Sequence, residues 1–170
     1  GTVFIPRIGM EVVVHFLDGD PDRPLVTGAV YNGANAPPWA LPGNMTKSGL
    51  LSRSTLSGAT ANANELSFED KKGEEKILFH AEKDFVREVE NDDTLIVDHD
   101  QTRTIKNNRT TTITEGNDEL TIKAGNRTET ITKGNETLDI NQGNRTVTLG
   151  QGNDALTLDA GNRTTKLTQG

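Results

Sequence analysis

At 170 residues, with 32% apolar and 4% aromatic side chains, the chain is long enough for one or two modest domains but poor in the material of a large core. A formal net charge of −7 disfavours nucleic acid or anionic lipid as an electrostatic partner, and the absence of cysteine excludes disulfides and thiolate metal sites. No run approaches the roughly 20 apolar residues of a membrane span, and the chain opens at a glycine in strand-like text, without a signal-peptide pattern.

Residues 1–33 predict strands. "MEVVVHFLDG" (10–19) and "PLVTGAVYNG" (24–33) are Val-rich runs bounded by Gly, Pro, Asp and Asn. Between them "DGDPDRP" (18–24) is turn chemistry, because Pro fixes φ while Gly and Asp tolerate tight bends. Residues 34–64 predict a loop or linker: Pro37, Pro38 and Pro42 interrupt any period, and Trp39 is the obvious anchor. Residues 65–106 predict irregular β-hairpins. "NELSFED" and "EEKILFHA" flank "KKG" with Leu66 and Phe68 on one face, and "DFVREVE" and "TLIVDHD" follow around "NDD".

From about residue 107 the text becomes periodic. Gly116, Gly125, Gly134, Gly143, Gly152 and Gly161 each open a Gly-Asn pair nine residues after the last; Gly170 falls in the next slot, and Asn107-Asn108 fills the preceding one. Counting the glycine as position one, position seven is Ile113, Ile122, Ile131, Ile140, Leu149, Leu158 and Leu167. Position five adds Leu120, Leu138, Val147 and Leu156. Position three reads Arg109, Asp118, Arg127, Glu136, Arg145, Asp154 and Arg163, an unbroken alternation of sign. Positions three, five and seven share one face of a strand, because side chains alternate. If consecutive repeats stack, each Arg lies about 4.8 Å from carboxylates above and below. A slip by one repeat then sets Arg on Arg, so the column opposes misregister.

Each repeat offers one or two apolar side chains, too few for a core within one chain. Closing three such faces around an axis buries the position-seven column, hides the sheet edges and asks for a homotrimer. Strand direction stays open. Gly-Asn suits a two-residue type II′ turn and an antiparallel meander, whereas the charge column favours parallel stacking of intertwined chains. The unbroken Ile/Leu column argues against disorder. A calcium-binding nonapeptide needs further glycines and an aspartate at position six, where Thr predominates. The "NRT" triplets match a glycosylation acceptor only because the repeat generates them.

Catalytic and cofactor signatures are missing. His15, His80 and His99 share no metal or catalytic spacing. "DGDPD" begins like a calcium loop, but Arg23 and Ala29 occupy the positions that need Gly and Glu. Glu69, Asp70, Glu74 and Glu75 read as a solvated turn rather than paired catalytic acids. No catalytic, cofactor or metal residue is assigned.

As an ordered set, "PRIGMEV", "GDPDRP", "TGAVYN", "SGLLSRST", "NELSFEDKKGEE" and the "GNRT"/"GNET" repeats resemble VgrG, the spike proteins of bacterial type VI secretion systems. The resemblance implies an all-β chain: the later strands of an OB-fold (1–33) leading into a trimeric triple-stranded β-helix, or triangular prism, of nine-residue repeats (107–170). It implies kinship with contractile phage tail spikes, and a family base that docks on the tube protein and lies outside these residues. The implied function is a non-enzymatic, membrane-puncturing shaft, without cofactor, carrying effector and tip-capping proteins at its distal end. The implied route is assembly in the bacterial cytoplasm, then injection across a target membrane. A shaft leading to a catalytic effector domain, or an extracellular adhesin stalk, are the alternatives.

Overall fold

The computed structural model describes residues 1, 3–55, 57–59 and 61–168. Gly170, expected to open a further repeat, lies outside them. The chain divides into two units, Gly1–Gln101 and Thr102–Gly170. All its paired structure is antiparallel β, in two small sheets.

The first sheet pairs β1 (Glu11–Phe16) with β2 (Pro24–Val30), with a bulge between Val13 and Val14. The turn expected at "DGDPDRP" is present. Leu17–Gly19 forms one 3-10 turn, Asp18 and Gly19 adopt positive φ, and Arg23 closes the loop by pairing with Asp18 at 3.0 Å. Asp22 N–H donates to Asp20 Oδ1, so the Asp20 side chain caps the turn backbone.

The second sheet has the order β3–β4–β5, built from Lys47–Arg53, Ala63–Glu69 and Lys76–His80. β4 and β5 form a hairpin across "DKKGEE", as the alternation of Leu66 and Phe68 predicts. β3 corrects the expectation of a loop over 34–64: "KSGLLSR" pairs with β4 along seven residues. Gly49 makes that pairing fit. Its φ is +149°, and a Cβ there would lie 2.2 Å from the Leu66 carbonyl oxygen. Ala63 and Ser67 on β4 are the buried residues among those described.

Beyond His80 the expectation of further hairpins fails. Among the described residues no backbone–backbone hydrogen bond reaches past β5. Extended segments of six residues instead alternate with short bends: 84–89, 92–97, 100–105 and 108–113, then 117–122 and every ninth residue onward to 162–167. The earlier bends, such as 90–91, 98–99 and 106–107, are two residues long, and the later ones, from 114–116, are three. Successive segments start eight residues apart up to 108–113 and nine apart from there on, so a regular eight-residue repeat precedes the nine-residue register that opens at Asn107.

Candidate functional site

The corners explain the glycines. Each three-residue bend ends on a glycine, from Gly116 through Gly125, Gly134, Gly143 and Gly152 to Gly161, with φ between +100° and +123°. That region carries a steric penalty for any residue with a Cβ. The two-residue bends hold no positive-φ residue and need no glycine. The glycines mark corners only from Gly116 onward, so the repeats before Asn107 carry no glycine signal.

The apolar column does not stop there. Val89, Val97 and Ile105 each end a six-residue extended segment, as Ile113, Ile122, Ile131, Ile140, Leu149, Leu158 and Leu167 do. Val89, Val97, Ile105 and Ile113 are eight residues apart, a spacing that could have revealed them. Their exposures, 42–46%, match the 42–48% of Ile122, Ile131 and Ile140. Position five is more open: Leu120, Leu138, Val147 and Leu156 are 61–66% exposed. None of these side chains is buried by its own chain.

The polar column behaves likewise. Within a repeat, Arg127 pairs with Glu129 at 3.1 Å, as two residues on one strand face should. No ion pair among the described residues joins consecutive members of the series from Arg109 to Arg163. Each charged member sits four residues before an apolar-column residue, and that rule extends the series back to Gln101 and Asp93. Asp93 pairs with Arg87 of its own chain.

The sheet β3–β5 presents a different arrangement. Leu50, Leu66, Phe68, Ile77 and Phe79 alternate onto one face by their register, and Leu50, Phe68, Ile77 and Phe79 remain exposed. The opposite face holds the best-sheltered ion pair, Lys47–Glu65 at 2.8 Å, with both side chains about four-fifths covered. The Lys47 ammonium also stands 4.6 Å from the Trp39 ring centroid, a cation–π contact that anchors the proline-rich loop. Hydrogen bonds from Lys47 and then from the Ser67 hydroxyl hold the Glu65 carboxyl below the ordinary carboxylate range. Glu69 is shifted the same way by the Thr46 hydroxyl and the Lys71 N–H.

The residues weighed for chemistry remain apart. His80 lies 3.8 Å from Glu82 and His99 lies 3.0 Å from Asp100, both largely exposed. Glu74 and Glu75 bond Lys71 and the Gly73 N–H, closing the hairpin turn. Among the described residues no three His, Asp or Glu side chains converge as metal ligands would.

The isolated chain exposes 17510 Å². A folded monomer of 18.4 kDa exposes about 8,200 Å². More than half of this surface is therefore in excess of what a compact monomer shows, and the repeats carry apolar columns and unpaired backbone. Such a surface is chemically equipped to pair strands with other chains.

Comparison with known proteins bears on which chains those are. Residues 48–166 match the family model of the bacteriophage T4 gp5 C-terminal trimerisation domain. Residues 1–31 match that of the type VI secretion system/phage-baseplate injector OB domain. The chain is 56% identical over 105 residues to the type VI secretion system spike protein VgrG1b of Pseudomonas aeruginosa, covering 62% of this chain and 14% of that protein. It is 54% identical over 105 residues to VgrG1c of the same organism, with the same coverage. It is also 47% identical over 106 residues to the actin cross-linking toxin VgrG1 of Vibrio cholerae, covering 62% of this chain and 9% of the toxin. The chain thus matches about a seventh or less of the length of these relatives.

Proposed function

The chain belongs to the gp5-type trimerisation family, among the VgrG spike proteins of type VI secretion, and from that premise we propose that three copies intertwine into the rigid shaft of an injector spike. The observation that carries this reading is the unpaired state of the repeats. Ten apolar residues from Val89 to Leu167, eight and then nine residues apart, end extended segments whose backbone groups form no backbone–backbone hydrogen bond among the described residues. A II′-turn meander requires hydrogen bonds between consecutive repeats of one chain, and none is formed among the described residues.

In the intertwined arrangement each extended segment occupies one face of a three-sided prism, and its neighbours above and below come from the other two chains. The position-seven residues meet at the axis. Arg127 and Arg145 then stack between carboxylates of their partners, and Arg109 between Gln101 and Asp118, at the ~4.8 Å strand spacing. The fully paired backbone leaves no long edge, which suits a narrow rod that crosses an envelope without aggregating.

The role of the segment is mechanical. It acts as a non-enzymatic shaft that is carried by a tube-docked base, bears effector and tip-capping proteins distally, and breaches a target membrane. The toxin relative favours a second reading for longer chains, in which such a shaft leads into a catalytic domain. Sedimentation of the chain tests the trimer: a species of three times 18.4 kDa is expected, and a stable compact monomer contradicts it.

A further inference from the structure

The alternating charges leave one ambiguity in this shaft. Arg109, Arg127, Arg145 and Arg163 recur every second repeat, so a chain displaced by two repeats again sets Arg on carboxylate and Ile or Leu on the axis. From Arg109 to Arg163 the charge series is blind to that displacement. The corners are not, because the change from two-residue to three-residue bends occurs once, between 106–107 and 114–116.

At the boundary between them the two kinds of repeat differ by little else. "IKNNRTTT" (105–112) is "IKAGNRTET" (122–130) with the corner glycine removed, apart from substitutions that keep the column residues in place. The extended segment is six residues in both, so the extra residue is confined to the corner. Resting on the trimeric reading above, we propose that this change of corner is a register mark. The shaft then accepts as partner a second copy of the chain whose corner widens at the same repeat.

The physical basis is stacking. Where two-residue corners meet two-residue corners, or three meet three, successive segments enter their faces in phase. Where a two-residue corner meets a three-residue one, the unmatched residue displaces the next segment by up to about 3.3 Å along the strand. That displacement is enough to carry N–H and C=O groups out of hydrogen-bonding range in the layer. A displacement of two repeats creates two such layers, and these are the layers the charges fail to report.

The test uses the full chain carrying two different tags. A variant lacking both Gly116 and Gly125 moves the widening two repeats onward and leaves the charged and apolar columns in order. Co-expressed wild-type chains are expected to mix in statistical proportion. Wild type co-expressed with the deletion variant is expected to give the two homotrimers, with mixed trimers about tenfold below the statistical share. Inserting one glycine between Asn107 and Asn108 moves the widening one repeat the other way and should deplete mixed trimers less. Statistical mixing with the deletion variant overturns the register mark while leaving the trimer intact. Failure of both variants to assemble with themselves also overturns it, since each presents matched corners in all three copies; if one fails, the other's mixing decides. A wild-type chain that never forms trimers overturns instead the reading on which the mark rests.

Discussion

The sheet β3–β5 and the repeats that follow it solve the same problem in opposite ways. Both are extended chain whose N–H and C=O groups need partners. The sheet finds them at home: β3, β4 and β5 pair in antiparallel register, Ala63 and Ser67 are buried, and Lys47, Glu65 and Trp39 cluster on one face. Among the described residues the repeats form no backbone–backbone hydrogen bond, and their apolar column from Val89 to Leu158 stays about half exposed. The difference is in how contacts are encoded. The sheet depends on particular residues meeting once, such as Gly49 beneath the Leu66 carbonyl, whereas the repeats depend on identical features recurring at a fixed interval.

Substitutions should therefore act on assembly in one region and on local folding in the other. The largest effect is expected from replacing Ile131 and Ile140 together by Asp. Six carboxylates would enter the axis of a trimer at a cost of several kcal/mol each, so sedimentation should show loss of the trimer. A heat-resistant trimer of this double variant would mean that the column does not face the axis. Gly49→Ala comes next. Its Cβ would collide with backbone of β4, at about 3 kcal/mol of local stability, read as lost exchange protection in β3 and β4 while the repeats still assemble. Gly28→Ala in β2, where a Cβ meets nothing within 4 Å, should change stability by about 0.5 kcal/mol at most. Gly143→Ala should cost about 1–2 kcal/mol per chain, since its φ is +112°, and should lower the melting temperature of the trimer without dissociating it.

Smaller effects separate the two regions by solution conditions. The folded-state pKa of Glu65 lies below its unfolded value, so its contribution to stability is fully present above the ordinary Glu range. That contribution is lost as pH falls through the folded value. Glu65→Gln should flatten the acid loss of sheet stability in a pH series of melts, leaving the part due to Glu69. An unchanged slope would remove the Lys47–Glu65 pair from the account. Arg127→Glu is expected to weaken the repeats by about 0.2–1 kcal/mol per pair, more at low salt than at high salt, in trimer dissociation measurements.

How far the fold was legible in the sequence follows the same division. The Ile/Leu column, the corner glycines and the alternating charges were readable because each repeats, and repetition marks a column without any knowledge of its partner. β3 was not readable: "KSGLLSR" is Ser- and Gly-rich, and what makes it a strand is β4, ten residues further on. Trp39 was legible as an anchor, but the Lys47 ammonium that meets it was not. The eight-residue repeats were hidden by the lack of glycine at their corners, although Val89, Val97 and Ile105 keep the interval. For β3 and Trp39 the missing information was a distant partner; for the eight-residue corners it was a backbone conformation that demands no glycine.

Cross-linking the charged column tests most directly whether the repeats pair between chains. The chain has no cysteine, so Asp118→Cys and Arg127→Cys introduced together provide its only thiols. In the intertwined shaft, position 118 of each chain stacks beside position 127 of the next, at a spacing suited to a disulfide. Oxidation should therefore close a covalent trimer on a denaturing gel. A disulfide formed within single chains, leaving monomers on that gel, would contradict the account.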